Sequence, residues 1–191
     1  MIRHFGTALR VTVISIILFG LIYPLAMTGI AQALFPWQAN GSMLKVNGKV
    51  VGSAIIGQLW TKPQYFQGRP SAAGKGYDPT ATGGTNLGPT SKKLKDTTKA
   101  TIAQLKKQNP DANGPLPMDL VTSSASGIDP DITPEAAYWE APRVAKARNM
   151  SLAAVNALIA QHVRGRTFGF LGEPRVNVLE LNLALDGLKP Q

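Results

Sequence analysis

Residues 11–35 read VTVISIILFGLIYPLAMTGIAQALF, a run from Val11 to Phe35 without one charged side chain. Wound as an α-helix at ~1.5 Å per residue, it is about 37 Å long. That exceeds the ~30 Å hydrocarbon core of a bilayer, so the helix can cross with some tilt. A helix also closes every backbone hydrogen bond inside its own segment, which lipid demands. Gly20 and Gly29 permit close approach of a neighbouring helix, Tyr23 and Pro24 sit mid-span, and Trp37 follows as an interfacial anchor. Arg3 and Arg10 precede the run, and the next charge is Lys45. The positive-inside rule then puts residues 1–10 in the cytoplasm, 11–35 across the membrane and 36–191 on the far side, although Lys45 and Lys49 reduce the contrast. The competing reading is a cleaved secretory signal ending near Ala31-Gln32-Ala33. The apolar run is longer than a typical ~7–15-residue signal core, which favours retention. Both readings put the remaining domain outside the cytoplasm.

The remainder of the 191 residues is long enough to bury one core without staples. The chain has no cysteine, which excludes disulfides, thiol nucleophiles and cysteine metal sites. Lys and Arg number 20 against 11 Asp and Glu, and no acid precedes Asp78. Such an excess fits anionic lipid, an acidic protein or simple solubility. Nucleic acid is not an expected partner of a domain across a membrane from it.

Met43–Ile56 reads as a hairpin about Asn47-Gly48, a pair that accepts the positive φ of a tight turn. Gln58–Gly88 is rich in Gly, Pro, Ser and Thr, with Trp60, Tyr65, Phe66 and Tyr77 spaced through it, and the aromatics predict an ordered loop. Thr90 or Ser91 caps a helix to about Lys107, with Leu94, Ile102 and Leu105 on one face and six lysines (92, 93, 95, 99, 106, 107) on the other. Met118–Thr122 is expected as a short strand. Thr133-Pro134-Glu135 starts a helix that Pro142 ends or kinks, and Ser151 caps another carrying Val155 and Ile159. Val176–Leu183 alternates as a strand, with Leu179 out of phase and a late switch to helix left open. The mixture, without βαβ alternation, predicts one compact α+β domain behind one transmembrane helix.

Catalytic readings are poor. Gly83-Gly84-Thr85-Asn86-Leu87-Gly88 has phosphate-loop glycine spacing, but Pro89 stands where the phosphate lysine belongs, so a rigid turn is expected. A membrane-anchored envelope serine hydrolase, with Ser126 attacking and His162 as base, is the alternative function, yet no Gly-x-Ser-x-Gly elbow is present. No His and acid cluster has metal-ligand spacing. Arg69, Arg143 and Arg148 are expected to pair with Asp129, Asp131 or Glu140.

The whole chain resembles a known family. Phe35–Ser42, Gly52–Gln58, Phe66–Ser71, Gly83–Thr90, Asp119–Pro130, Thr133–Ala137, Arg143–Arg148 and Val176–Asp186 look, in order, like the C subunit of the Kdp potassium-transporting P-type ATPase. The resemblance implies a non-catalytic accessory subunit of the bacterial inner membrane, with no cofactor of its own. Its implied partners are the bilayer, a channel-like potassium-binding subunit and an ATP-hydrolysing subunit whose ATP affinity it is described as raising. Ser126, Asp129, Glu140 and Arg143 are the candidate region for contact with ATP held by that partner. Gly20, Gly29, Trp37, Gln58, Arg69 and Asn86 are the interface candidates. Glu140 departs from the glutamine that relatives often carry, and Asp131 from their His or Asn.

Overall fold

A computed structural model describes residues 2–188, with side chains from His4 onward. Arg3, one of the two charges behind the orientation expected above, lies outside the described side chains, and Met1 and residues 189–191 lie outside the described chain. Contacts divide the protein into two units, one up to Met43 and one from Leu44.

The first unit is a continuous helix. It comprises α1 (Ile2–Ser15), a π-helical turn (Ile16–Ile22) and α2 (Tyr23–Leu34). The stretch His4–Leu34 is 31 residues long, its most apolar 18 residues have a mean hydropathy of 2.2, and none of that window is buried by protein. The helix therefore begins before the uncharged run and carries Arg10 as a helical residue. The π turn has a local cause. Pro24 has no N–H to offer Gly20, and its ring crowds the carbonyl four residues back. The backbone widens there, and the Tyr23 N–H reaches the Leu18 carbonyl, one residue beyond the α register. A one-turn α3 (Pro36–Ala39) follows, after which the Trp37 indole donates to the Met43 carbonyl at 3.3 Å.

The second unit is mixed α and β. The expected hairpin is present as β1 (Met43–Val46) and β2 (Lys49–Ser53), with Asn47 and Gly48 both at positive φ. Gln58–Gly88 contains no helix or strand. Helix α4 (Lys92–Gln108) has Ser91 as its cap, and α5 (Pro134–Arg148) and α6 (Leu152–His162) are capped by Thr133 and Ser151. A three-stranded antiparallel sheet orders β3 (Asp131–Ile132), β5 (Arg175–Asn177) and β4 (Val163–Arg164), with β5 central and Val176 facing both Ile132 and Val163. Helix α7 (Val178–Leu185) completes the unit. The main core holds Phe66, Ile132, Val144, Val155, Ile159 and Leu181, and a smaller cluster joins Leu44, Val46 and Ala54 to Leu179 and Leu183.

One expectation is corrected, and two that left alternatives open are narrowed. Met118–Leu120 is a 3-10 turn rather than a strand. The Met118 carbonyl accepts from Val121 N, Thr122 N and Thr122 Oγ1, so local bonds take the place of a ladder. Pro142 lies inside α5 and does not end it. The carbonyl it deprives belongs to Tyr138, an exposed residue at which water can supply the missing donor. The Val176–Leu183 strand gives way to helix at Val178. Helix α7 is buried nearly all round, at Leu179, Leu181, Asn182 and Leu183 alike, which hides the helical period. Asn177 caps it by accepting from Glu180 N at 3.1 Å.

Candidate functional site

Two irregular segments, 58–88 and 121–131, meet at Arg69. Its Nη1 donates to Asp129 at 3.1 Å, and its other nitrogens lie 3.4 Å from the Thr122 carbonyl. Both partners of the ion pair are about a quarter exposed, at 27% and 28%. The Tyr77 hydroxyl donates to the Arg69 carbonyl at 2.6 Å, and Ser71 Oγ donates to the Gly127 carbonyl. The Tyr77 ring fills its space so closely that a Cβ on Gly57 or Gly68 would strike it, which is why both positions are glycine. Burial, then the nearby Asp129 carboxylate, pushes the Tyr77 phenol up to about 12. The glycine loop belongs to the same knot: Gly83 N donates to the Ser126 carbonyl at 2.9 Å. Residues 83–88 are irregular rather than a hydrogen-bonded turn, with Asn86, not a glycine, at positive φ.

Open clefts flank this junction. One, of about 280 Å³, lies beside Trp60, Gln67, Arg69, Tyr77 and Gln104. Another, of about 480 Å³, runs between α4 and the loop, with Lys93, Thr97 and Thr101 facing Thr85 and Leu87. On the far side of Arg69, Asp119, Asp129 and Asp131 share a third cleft with Arg175. Asp131 is paired with Arg175 at 3.1 Å, yet burial holds its carboxyl above the usual range, Arg175 opposing and Asp129 reinforcing the shift.

A deeper cluster secures the loop from beneath. Glu140, wholly buried, accepts from Arg143 Nη2 at 2.6 Å and from Gln67 N at 2.9 Å. Arg143 turns its other donors to Asn109 Oδ1 and to the carbonyls of Pro63 and Tyr65. Burial pushes the Glu140 carboxyl up, with Arg143 opposing. Arg148 reaches the Gln64 carbonyl and Asp186, and its guanidinium lies 4.9 Å from the Tyr65 ring centroid. Asn182 holds Phe66 at both backbone groups, accepting from its N at 2.9 Å and donating to its O at 3.0 Å.

The pairings of Arg69 and Arg143 are thus among those expected, whereas Arg148 takes Asp186. Ser126, Asp129, Glu140 and Arg143 do not gather in one cleft: the last two are interior, and Ser126 Oγ accepts from Ile128 N on the surface loop. His162 Nδ1 contacts its own helix at the Leu158 carbonyl, 2.8 Å away, and lines a different hollow from any serine. The hydrolase reading has no support in this geometry. Among the interface candidates, Trp37 and Asn86 are exposed, and the space around Gly29 is open. Gln58 is half-buried and donates to the Val51 carbonyl. Sequence reasoning named Tyr77 only as one of the aromatics that order the loop and gave Asn177 and Asn182 no role; the glycines that crowd Tyr77 are a signal that could have marked its place at the junction.

Comparison with known proteins covers almost the entire chain. The family described as KdpC, the c chain of the K+-transporting ATPase, matches residues 5–187. A "Potassium-transporting ATPase KdpC subunit" of Myxococcus xanthus is 58% identical over 97% of this chain and 89% of its own. A protein of the same description from Koribacter versatilis is 52% identical over 98% of this chain and 96% of its own. Acidobacterium capsulatum has another, 53% identical over 96% and 98%. With one helix among the described residues long and apolar enough to cross a membrane, a mixed α and β unit after it and a family match over residues 5–187, the chain belongs to the KdpC family, the c chain of the K+-transporting ATPase.

Proposed function

We propose that this chain is the subunit that holds the potassium-transporting complex together from one side of the membrane, without chemistry of its own. Membership of the family carries an accessory role in potassium transport. The observation that carries the finer reading is the first unit. Every described side chain of its apolar window is uncovered, and Gly29 has no atom within 4 Å of where a Cβ would stand. Gly20 meets only Ile16 of its own helix, at 3.9 Å. Neighbouring helices can therefore approach the backbone at either glycine, and close packing at small residues is how helices associate where lipid removes the hydrophobic drive. The partner helices belong to the channel-like and ATP-hydrolysing subunits. Arg10, preceding the uncharged run, supports a cytoplasmic N-terminus in the inner membrane and an outer domain on the opposite face.

On that face the Arg69 junction and its clefts serve as the docking surface near the ion entrance. The six α4 lysines, all exposed, point away from the ion path, since a cation pathway lined by them would repel potassium. An effect on ATP affinity runs through the ATPase subunit. Glu140 and Arg143 are spent on the protein's own interior, and bringing nucleotide to them would require opening the core.

Co-purification in mild detergent tests this reading. A Gly20→Leu/Gly29→Leu chain is expected to reach the membrane yet leave its partners on extraction, and cells carrying it to grow poorly at limiting potassium. Retention of the complex by that variant would sink the helix-packing part, and a native chain that purifies alone would sink the whole.

A further inference from the structure

Residues 167–171 form a tight turn that carries its apolar side chains outward. Phe168 is 84% exposed, Phe170 69% and Leu171 49%. The turn is well bonded: Thr167 N donates to Leu171 O and Leu171 N to Thr167 O, both at 2.9 Å, and Gly169 N donates to Arg166 O at 3.1 Å. Phe168 stands at φ 54°, a region that favours glycine, so its ring is held outward against a backbone cost. Below the tip lies a charged collar. Arg166 pairs with Glu173, Arg164 with Glu180 and Arg175 with Asp131, so the arginines are matched one for one by carboxylates.

We propose that this tip inserts into the membrane surface: its three apolar side chains enter the upper acyl layer while the neutralised collar rests among the headgroups. The inference rests on the membrane-tether reading and extends it. Three features favour lipid over a protein partner. Only residues 35–42 separate the end of α2 from β1, and eight extended residues reach at most about 28 Å, so the whole domain is confined near a bilayer. Three side chains fall far short of the roughly 800 Å² per partner buried in a stable protein interface, but lipid insertion asks for no such area. A collar of paired opposite charges matches zwitterionic headgroups, which present both signs. Such insertion is driven by apolar burial, so it needs no anionic lipid and survives salt.

The absence of cysteine makes the test clean. The full-length chain carrying F170C, labelled with a nitroxide, is reconstituted into phosphatidylcholine vesicles and floated on a density gradient, beside a K106C control on exposed α4. Collision of the label with oxygen, which enters lipid, is compared with collision with a water-soluble nickel chelate. The expected result is an oxygen-to-nickel ratio several-fold higher at position 170 than at 106. That ratio should be unchanged when salt rises from about 0.1 M to about 1 M, where the Debye length falls from ~10 to ~3 Å. A chain that floats but shows the control ratio at 170 overturns the tip and leaves the tether standing. A chain that does not float overturns both. A label shielded from both reagents in the intact transport complex assigns the tip to a protein partner and overturns the proposal.

Discussion

The segment from Gln58 to Gly88 and helix α4 follow one another in sequence and are built on opposite principles. The first has no helix or strand, yet Phe66 within it is wholly buried, and its backbone is held at Pro63, Gln64, Tyr65, Phe66 and Gln67 by side chains from α5 and α7. The second is a regular seventeen-residue helix whose only buried residue is Leu105. Regularity and fixity have come apart. A helix satisfies its own backbone and needs little from its surroundings, whereas a buried loop must find outside partners for each N–H and C=O. Here those partners are two arginines, a glutamate and an asparagine, and they transmit rigidity to the surface that carries Arg69.

The largest effect should come from Arg143. Replacing it by alanine strands Glu140 in the core and frees the carbonyls of Pro63 and Tyr65 together. Loss of one member of a buried pair costs about 3–5 kcal/mol, and denaturant unfolding in detergent should show a loss of that order. Glu140→Gln keeps one oxygen for Arg143 but turns an NH2 donor on Gln67 N, while the Pro63 and Tyr65 carbonyls stay held, so it should be milder than Arg143→Ala; equal losses from the two would show that charge, not hydrogen bonding, holds the loop.

Asn182→Ala comes next. It leaves Phe66 N and O without partners in a dry site, at about 1–3 kcal/mol for each group. The expected signature is a lower Tm with increased proteolytic cutting between Gln58 and Gly88. A variant that stays resistant would mean that the loop is held by apolar packing alone.

This pinning was the least legible part of the molecule. Caps at Ser91, Thr133 and Ser151, and the Asn47-Gly48 turn, are local devices, so a few neighbouring residues reveal them. The pairs Arg69–Asp129 and Arg143–Glu140 could be anticipated because an arginine drawn from solvent, in part at 69 and almost wholly at 143, needs an acid. Asn182, by contrast, acts on Phe66 across a separation of 116 positions, and nothing near either residue announces it. Asn177 likewise spans 123 positions to the Ala54 carbonyl while capping α7. The leucines of α7 alternate like a strand because the helix is buried on every side, and a period cannot show where no face is exposed. The span was plain for the opposite reason: lipid imposes one chemistry on all faces, and composition alone declares it.

Tyr77 gives a smaller, pH-dependent effect that probes the upper layer of the loop. Its phenol ionises at about 12 in the folded chain against 10.0 ordinarily. The folded state thus keeps the proton more tightly, so the stabilisation is complete below about pH 10 and is lost as pH rises toward about 12. Tyr77→Phe should forfeit roughly 1 kcal/mol at neutral pH with the bond to Arg69, and should flatten the alkaline decline seen in the native chain. An unchanged decline in the variant would place its origin elsewhere.

The smallest effect is expected on α4, where regularity without burial should make charge nearly irrelevant to stability. Lys95 and Lys99 are both exposed and stand one helical turn apart. Like charges at that spacing cost a few tenths of a kcal/mol, about the size of a favourable pair with the sign reversed. A Lys95→Gln/Lys99→Gln chain should therefore unfold within ~0.5 kcal/mol of the native one, on the stable side if anything. The informative case is a larger loss. It would mean that these lysines hold something the helix itself does not need, and the contrast between a self-sufficient helix and a dependent loop would have to be redrawn with α4 as part of the docking surface.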